Sequence, residues 1–220
     1  MFQEKILFLK KGIIDYAEHV EKMVSKSIEG SINRNEYLLH EVIDKDETVA
    51  NKYEMEFDEI SVDYIARYQP VTKNLRIIIS AIKMSNDLER MADHAVNISQ
   101  NGLFIIAHPF IKPFVDIPKM SELTMNMLKD SIRAFVNEDI CLAKDVLKKD
   151  EEIDNLKVRV VEEVSEFMQK DGKTVQRGLK LINIASNLER IADLATNICE
   201  DAIYLSDGEV IKHKNFYKNQ

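Results

Sequence analysis

The chain has no tryptophan, and among its 220 residues there are only six glycines, four prolines and two cysteines. Each scarcity excludes something. Few Gly and Pro leave little material for the many turns of a strand-rich fold, and favour long helices. Cys141 and Cys199 are far apart with no Cys-x-x-Cys spacing, so neither a disulfide framework nor a zinc knuckle is expected, and a reducing cytoplasmic setting fits. No segment approaches the roughly 20 consecutive apolar residues of a membrane-spanning helix. Positive charge is also short: 30 Lys and Arg stand against 38 Asp and Glu, a formal charge of −8, which argues against nucleic acid as a partner. Cations or basic protein surfaces suit such a chain better.

Against that background one segment stands out because it occurs twice, one hundred positions apart. Leu88-Glu89-Arg90-Met91-Ala92-Asp93-His94-Ala95-Val96-Asn97-Ile98 and Leu188-Glu189-Arg190-Ile191-Ala192-Asp193-Leu194-Ala195-Thr196-Asn197-Ile198 differ only at Met91/Ile191, His94/Leu194 and Val96/Thr196. An apolar periodicity alone would not demand the same Glu, Arg, Asp and Asn. The chain is therefore a tandem duplication. Further upstream, Val42-Ile43-Asp44-Lys45-Asp46-Glu47 matches Val146-Leu147-Lys148-Lys149-Asp150-Glu151 at an offset of 104, so four residues are lost between the two matches. The breakers Gln69-Pro70 and Asp171-Gly172 place that loss at a turn.

Pro109, Pro113 and Pro118 crowd one short segment, where missing donors and restricted predecessors stop a helix. This divides the chain into a first repeat over 1–107, a linker over 108–117, a second repeat over 118–206 and a basic tail over 207–220. Ile6, Leu9, Ile13, Val20 and Val24 recur at helical steps. Helices are expected near 2–30, 35–68, 71–106, 118–137, 138–170 and 174–206. The fold class is all-α: two tandem three-helix bundles, six long antiparallel helices in all, related by pseudo-twofold symmetry.

At about 100° per residue, Glu189, Asp193, Asn197 and Glu200 fall within one stripe, while Leu188, Ala192 and Ala195 point the other way. Glu89, Asp93 and Asn97 repeat the stripe in the first half, with Gln100 opposite Glu200. A turn at Gly172 sets Asp150 and Asp154 level with Glu189 and Asp193, and a turn at Pro70 sets Asp46 level with Asp93. Position 50, opposite Asp154, is Ala50, so the first set lacks one acid, and Glu54 one turn on is placed to substitute. Stacked carboxylates repel by a few tenths of a kcal/mol per pair on a helix. Carboxylates with an amide suit oxygen-seeking cations, and carboxylate-rich helical sites also hold iron. The competing reading is a solvated acidic face, with Asp193 paired to Arg190.

The duplicated motif, with Asp150-Glu151-Glu152-Ile153-Asp154 and with Tyr68-Gln69-Pro70 before Asn74-Leu75-Arg76, resembles the PhoU family of phosphate-signalling proteins over about residues 1–206. The resemblance implies a cytoplasmic, non-enzymatic regulator of phosphate uptake and phosphate-starvation signalling. Its implied partners are components of the phosphate ABC transporter and the associated sensor histidine kinase, with membrane association only through them, and its implied assembly is a homodimer. It also implies multinuclear metal clusters on the acidic faces, iron foremost, with manganese, magnesium or calcium as other occupants. Asp46, Glu89, Asp93 and Asn97, then Asp150, Asp154, Glu189, Asp193, Asn197 and Glu200, are the expected ligands.

Two other functions compete with this one. A metal-free adaptor would use the stripes to meet basic partner surfaces. A di-iron carboxylate enzyme needs Glu-x-x-His on its helices, and none of His19, His40, His94, His108 or His213 has a Glu three residues before it. His94 reads as a lone surface histidine, Cys199 as a packing residue. Phosphate-cradling Gly-rich loops and Gly-x-Ser-x-Gly elbows are missing too.

Overall fold

The computed structural model describes residues 2–111 and 116–207. Helix α1 spans Phe2–Asn33, and α2, Glu36–Glu41, runs through a five-residue π-helical turn, Val42–Asp46, into α3, Glu47–Tyr68. After a short turn comes α4, Thr72–Ile106. The second half has α5, Asp116–Asn137, α6, Ile140–Lys170, a 3₁₀ turn, Gly172–Thr174, and α7, Val175–Asp207. Each half is thus a three-helix bundle. The linker expectation is trimmed at one end, because Asp116 and Ile117 are already helical and Pro118 sits in the first turn of α5, where its missing donor has no intrahelical acceptor. Residues 112–115 of the linker and 208–220 of the tail lie outside the described residues.

The repeat is visible in how the helices end. Arg34 and Glu138, 104 positions apart, take the same left-handed backbone, with φ of 55° and 57°. The next residue caps the next helix in both halves: Asn35 Oδ1 accepts from the Leu38 amide and Asp139 Oδ1 from the Leu142 amide. Their own amides reach back to the carbonyls of Gly30 and Ala134 at 2.9 and 2.8 Å, closing each preceding helix. Through α1 and α5 the buried stripes also coincide at that offset, with Ile13, Tyr16, Val20 and Met23 answered by Ile117, Met120, Thr124 and Met127.

The π turn alters the register. The amide of Glu47 donates to the Val42 carbonyl five residues back, so the helix takes in one residue more than an α turn would. From there the burial pattern matches at 103 rather than 104: buried Ala50, Phe57 and Ser61 correspond to buried Ile153, Val160 and Val164. Of the four-residue difference between the halves, three residues are the turn at 69–71 and the fourth is in the π turn. The expectation that all four fell at the turn is corrected accordingly.

The two motif helices meet at the centre. His94 Nδ1 lies 2.8 Å from Asn187 Oδ1, and Lys83 Nζ lies 3.2 Å from the buried carboxylate of Asp201. Moving along α4 from Lys83 to His94 moves backward along α7 from Asp201 to Asn187, so the helices are antiparallel and the duplicated motifs cross. Leu88, Ala92, Ala95, Leu188, Ala192 and Ala195 are buried there, in a hydrophobic core continuous through both halves. Truncating Leu88 or Leu188 to Ala would cost about 2–5 kcal/mol. His94 is half-buried and bridges the halves, rather than lying free on the surface as expected from sequence.

Candidate functional site

Packing Leu88 and Leu188 inward forces Glu89, Asp93, Glu189 and Asp193 to the outer sides of α4 and α7, where they look across to α3 and α6. In the second half α6 supplies Asp150 and Asp154, and the four carboxylates come together. Burial first, and then the charges of Asp193, Asp154 and Glu189, push the Asp150 carboxyl up to about 6. Asp193 is also raised, by burial, Glu189 and Asp154, against the opposing pull of Arg190 and Lys157. Asp150 Oδ1 is buried without a hydrogen-bond partner. One cation already stands in the group: Lys157 Nζ lies 3.0 Å from Glu189 Oε1.

In the first half the one-residue slip changes which acids arrive. Asp46 is turned away from Asp93; its Oδ2 is 2.8 Å from Lys26 Nζ, and its backbone carbonyl is 2.9 Å from His19 Nε2. That corrects its placement among the ligands. The position equivalent to Asp150 is Glu47, the position equivalent to Asp154 is Asn51 rather than Ala50, and the position equivalent to Lys157 is Glu54. Ala50 is a core residue, 0% exposed, like its true counterpart Ile153.

Glu54 faces the motif acids. Burial, then Asp58 and Asp93, raise its carboxyl above the ordinary range. Glu89 is raised by burial, Asp93, Glu54 and Glu47, with Arg90 opposing. Tyr16 of α1 packs against the Tyr53 and Phe57 rings of α3. It is 0% exposed, its ring stacks on Tyr53 with centroids 4.8 Å apart, and its hydroxyl has no partner. Burial and then Glu54, Glu89 and Asp93 hold that phenol protonated well above its usual range. Sequence patterning missed Tyr16 because a tyrosine inside an apolar stripe reads as core.

The remaining expected ligands are peripheral. Asn97 is exposed and Asn197 half-buried, each one turn beyond its Asp, and the backbone carbonyl of Asn97 accepts from Asn101 Nδ2. Glu200 acts instead on Cys199, beside Asp130 and Lys149. Burial first pushes that thiol up to about 12, and its full burial marks it as packing.

The donors fit a hard cation in kind: each face offers carboxylate oxygens, and each has a buried oxygen with no partner, Asp150 Oδ1 in one and the Tyr16 hydroxyl in the other. Among the described residues, His, Cys, Asp and Glu side chains alone nowhere form a group of three that could hold a metal ion as they stand. Nor, among those residues, is any helix long and apolar enough to cross a membrane.

Fold and site together define an internally duplicated, all-helical protein carrying one carboxylate-lined face per repeat. The family model for the PhoU domain matches it twice, over residues 13–102 and 117–202. It is 35% identical over 212 residues to the phosphate-specific transport system accessory protein PhoU homolog 2 of Thermotoga maritima, covering 96% of this chain and 90% of that protein. It is 36% identical to the PhoU homolog of Aquifex aeolicus, covering 94% and 93%. The crystal structure of PhoU from Pseudomonas aeruginosa superimposes with a TM-score of 0.90 at 28% identity, covering 95% of this chain and all of that one. The chain belongs to the PhoU family.

Proposed function

We propose that this protein is a regulatory accessory of phosphate-specific transport whose two acidic faces bind cations and thereby set how it contacts its partners. The accessory role is supported by the names of relatives that align over nearly the whole chain, none of them named as an enzyme. The partners proposed are components of the phosphate ABC transporter and its associated sensor histidine kinase, with a homodimer as the assembly. Both follow from the family resemblance.

The observation that carries the cation reading is Asp150. An acid with its carboxyl pushed up to about 6, an unpartnered buried oxygen and three more carboxylates around it is an uncompensated negative site. A multivalent ion there would offset the repulsion, and Asp150, Asp154, Glu189 and Asp193 would hold it. In the first half Glu47, Glu54, Glu89 and Asp93 would do so. A bound ion supplies positive charge on an otherwise acidic surface and so a point of attachment for phosphate or a partner's carboxylates. Iron is the first metal to try, then manganese, magnesium and calcium.

A metal-free adaptor is the second reading, favoured by one observation: Lys157 already neutralises Glu189 at 3.0 Å. One experiment separates the two. Elemental analysis of protein purified without chelator or affinity metal is compared with Glu189→Ala/Asp193→Ala, alongside phosphate uptake in cells lacking their own copy. The cation reading expects more than one equivalent of metal, a fall in the variant and deregulated uptake. A protein that stays metal-free after incubation with all four metals establishes the adaptor instead.

A further inference from the structure

The side of α4 that carries Glu89 and Asp93 is apolar nearer its start. Steps of three and four residues back from Glu89 reach Asn86, Ile82, Ile79 and Leu75 on the same side of the helix. Ile79 is 41% exposed, and Leu75 and Ile82 are half-buried. An aliphatic strip therefore leads into the first acidic face from the end of the bundle. Helix α7 repeats it with Val175, Leu179 and Ile182, of which Leu179 is 51% exposed.

Each strip lies beside the place where the other motif helix ends. Where α4 ends, the departing chain is caught by the start of α7: an Arg177 N–H donates to the Pro109 carbonyl at 2.7 Å. Where α7 ends, Lys83 of α4 lies 3.2 Å from Asp201 and 5.8 Å from the Tyr204 ring. Asp207, six residues past Asp201, is thus about level with Ile77, which is the counterpart of Arg177. Next to Ile77 is Arg76. It is half-buried, and its Nε, among the described residues, is buried with no hydrogen-bond partner.

The sequence that follows Asp207 matches this surface in order and in charge. Gly208 is the residue type that lets a chain reverse past a helix end. After it come Glu209-Val210-Ile211-Lys212-His213-Lys214, and beyond them Lys218, so three lysines stand against one glutamate in a chain of formal charge −8. An extended chain advances about 3.3 Å per residue against about 1.5 Å for a helix. Run back along α4 from the level of Ile77, Val210 comes level with Ile79 and Ile82, and Lys214 with Glu89. Val210, Lys212 and Lys214 share one side of such a chain.

We propose that the tail from Gly208 onward docks on the first face, with Arg76 donating to its backbone carbonyls, Val210 covering Ile79 and Ile82, and Lys212 and Lys214 meeting Glu54 and Glu89. The tail then supplies to the first face the ammonium that Lys157 supplies to the second, where the first has Glu54 in its place. It excludes other cations and basic partner surfaces from that face until it is displaced. The second face has its lysine built into α6 and is not covered in this way.

Docking requires no bound metal, so full-length, metal-free protein is treated with a water-soluble carbodiimide, which condenses a lysine and a touching carboxylate to an amide with loss of water to the reagent. The amide between Lys157 and Glu189, 3.0 Å apart, is the internal standard. Peptide mass spectrometry should find Lys212 or Lys214 joined to Glu54 or Glu89 within one chain, at a yield within about threefold of that standard. Ile79→Asp should lower the tail amides at least tenfold and spare the standard, whereas Leu179→Asp on the second strip should change neither. Both positions are exposed, and equal melting temperatures check that the variants fold. Tail lysines that couple to acids all over the surface overturn the proposal, as does coupling to the first face that persists in Ile79→Asp. So does a standard that forms without tail amides, or tail amides that join two different chains in a mixture of light and heavy-isotope protein. None of these outcomes bears on whether the faces bind metal.

Discussion

Lys157 holds Glu189 at 3.0 Å across the hairpin of α6 and α7, and the residue equivalent to Lys157 in the first half is an acid, Glu54. The same fold position therefore subtracts charge from one acidic face and adds it to the other. Replacing Lys157 with Ala leaves the carboxylates of Asp150, Asp154, Glu189 and Asp193 facing one another with no ammonium among them. Because the pair is partly open to solvent, metal-free stability should fall by about 0.5–1 kcal/mol. Cation affinity on the second face should rise several-fold, since an incoming ion no longer displaces the lysine. Urea unfolding and calorimetric titration with manganese measure the two effects, and unchanged affinity would show that the ammonium does not compete with the ion.

Asp150 predicts a pH dependence. Its carboxyl rises from the ordinary 3.8 to about 6 in the folded chain, so the folded state binds the proton more tightly than the unfolded state does. That contribution is fully present below the unfolded value and is lost as pH climbs through about 6. Metal-free protein should therefore be more stable at pH 5.5 than at pH 7.5, by about 0.5 kcal/mol once solvent screening of a half-buried group is allowed for. Asp150→Asn should gain more than that at pH 7.5, about 1–2 kcal/mol, because it removes the whole penalty, and should flatten the slope. The comparison is urea unfolding in chelator at the two pH values; a variant as pH-dependent as the parent assigns the slope to other groups.

The duplication, the six-helix plan and the turns at Gln69 and Asp171 could be read from sequence because they depend on residue types with strong local preferences. The second acidic face could be read too, since α6 and α7 are regular and heights can be counted back from the turn. The first face could not, because a π turn is a change of backbone hydrogen bonding and Val42-Ile43-Asp44-Lys45-Asp46 carries no residue that demands it. One signal was present: Phe57 and Tyr64 align with Val160 and Phe167 at 103, whereas Val42 aligns with Val146 at 104. Following the apolar stripe instead of the acids would have exchanged Asp46 for Glu47 and Ala50 for Asn51.

The π turn itself can be tested by deletion. If it accommodates one additional residue, removing Asp46 converts it to a regular α turn and leaves α3 facing as before, with Ala50, Phe57 and Ser61 still inward. What is lost is the ion pair to Lys26 and the hydrogen bond between His19 and the Asp46 carbonyl, together about 1 kcal/mol. Removing Asp58 from the regular part of α3 rotates everything beyond it by about 100° relative to the preceding turns, taking Ser61 and Tyr64 off the core. That deletion should cost several kcal/mol, as emptied core positions do. Far-UV circular dichroism and thermal melting of the two deletions side by side decide the matter. A folded Asp46 deletion with an unfolded or strongly destabilised Asp58 deletion fits the inserted residue, and equal damage from both would remove the basis for pairing Glu47 with Asp150.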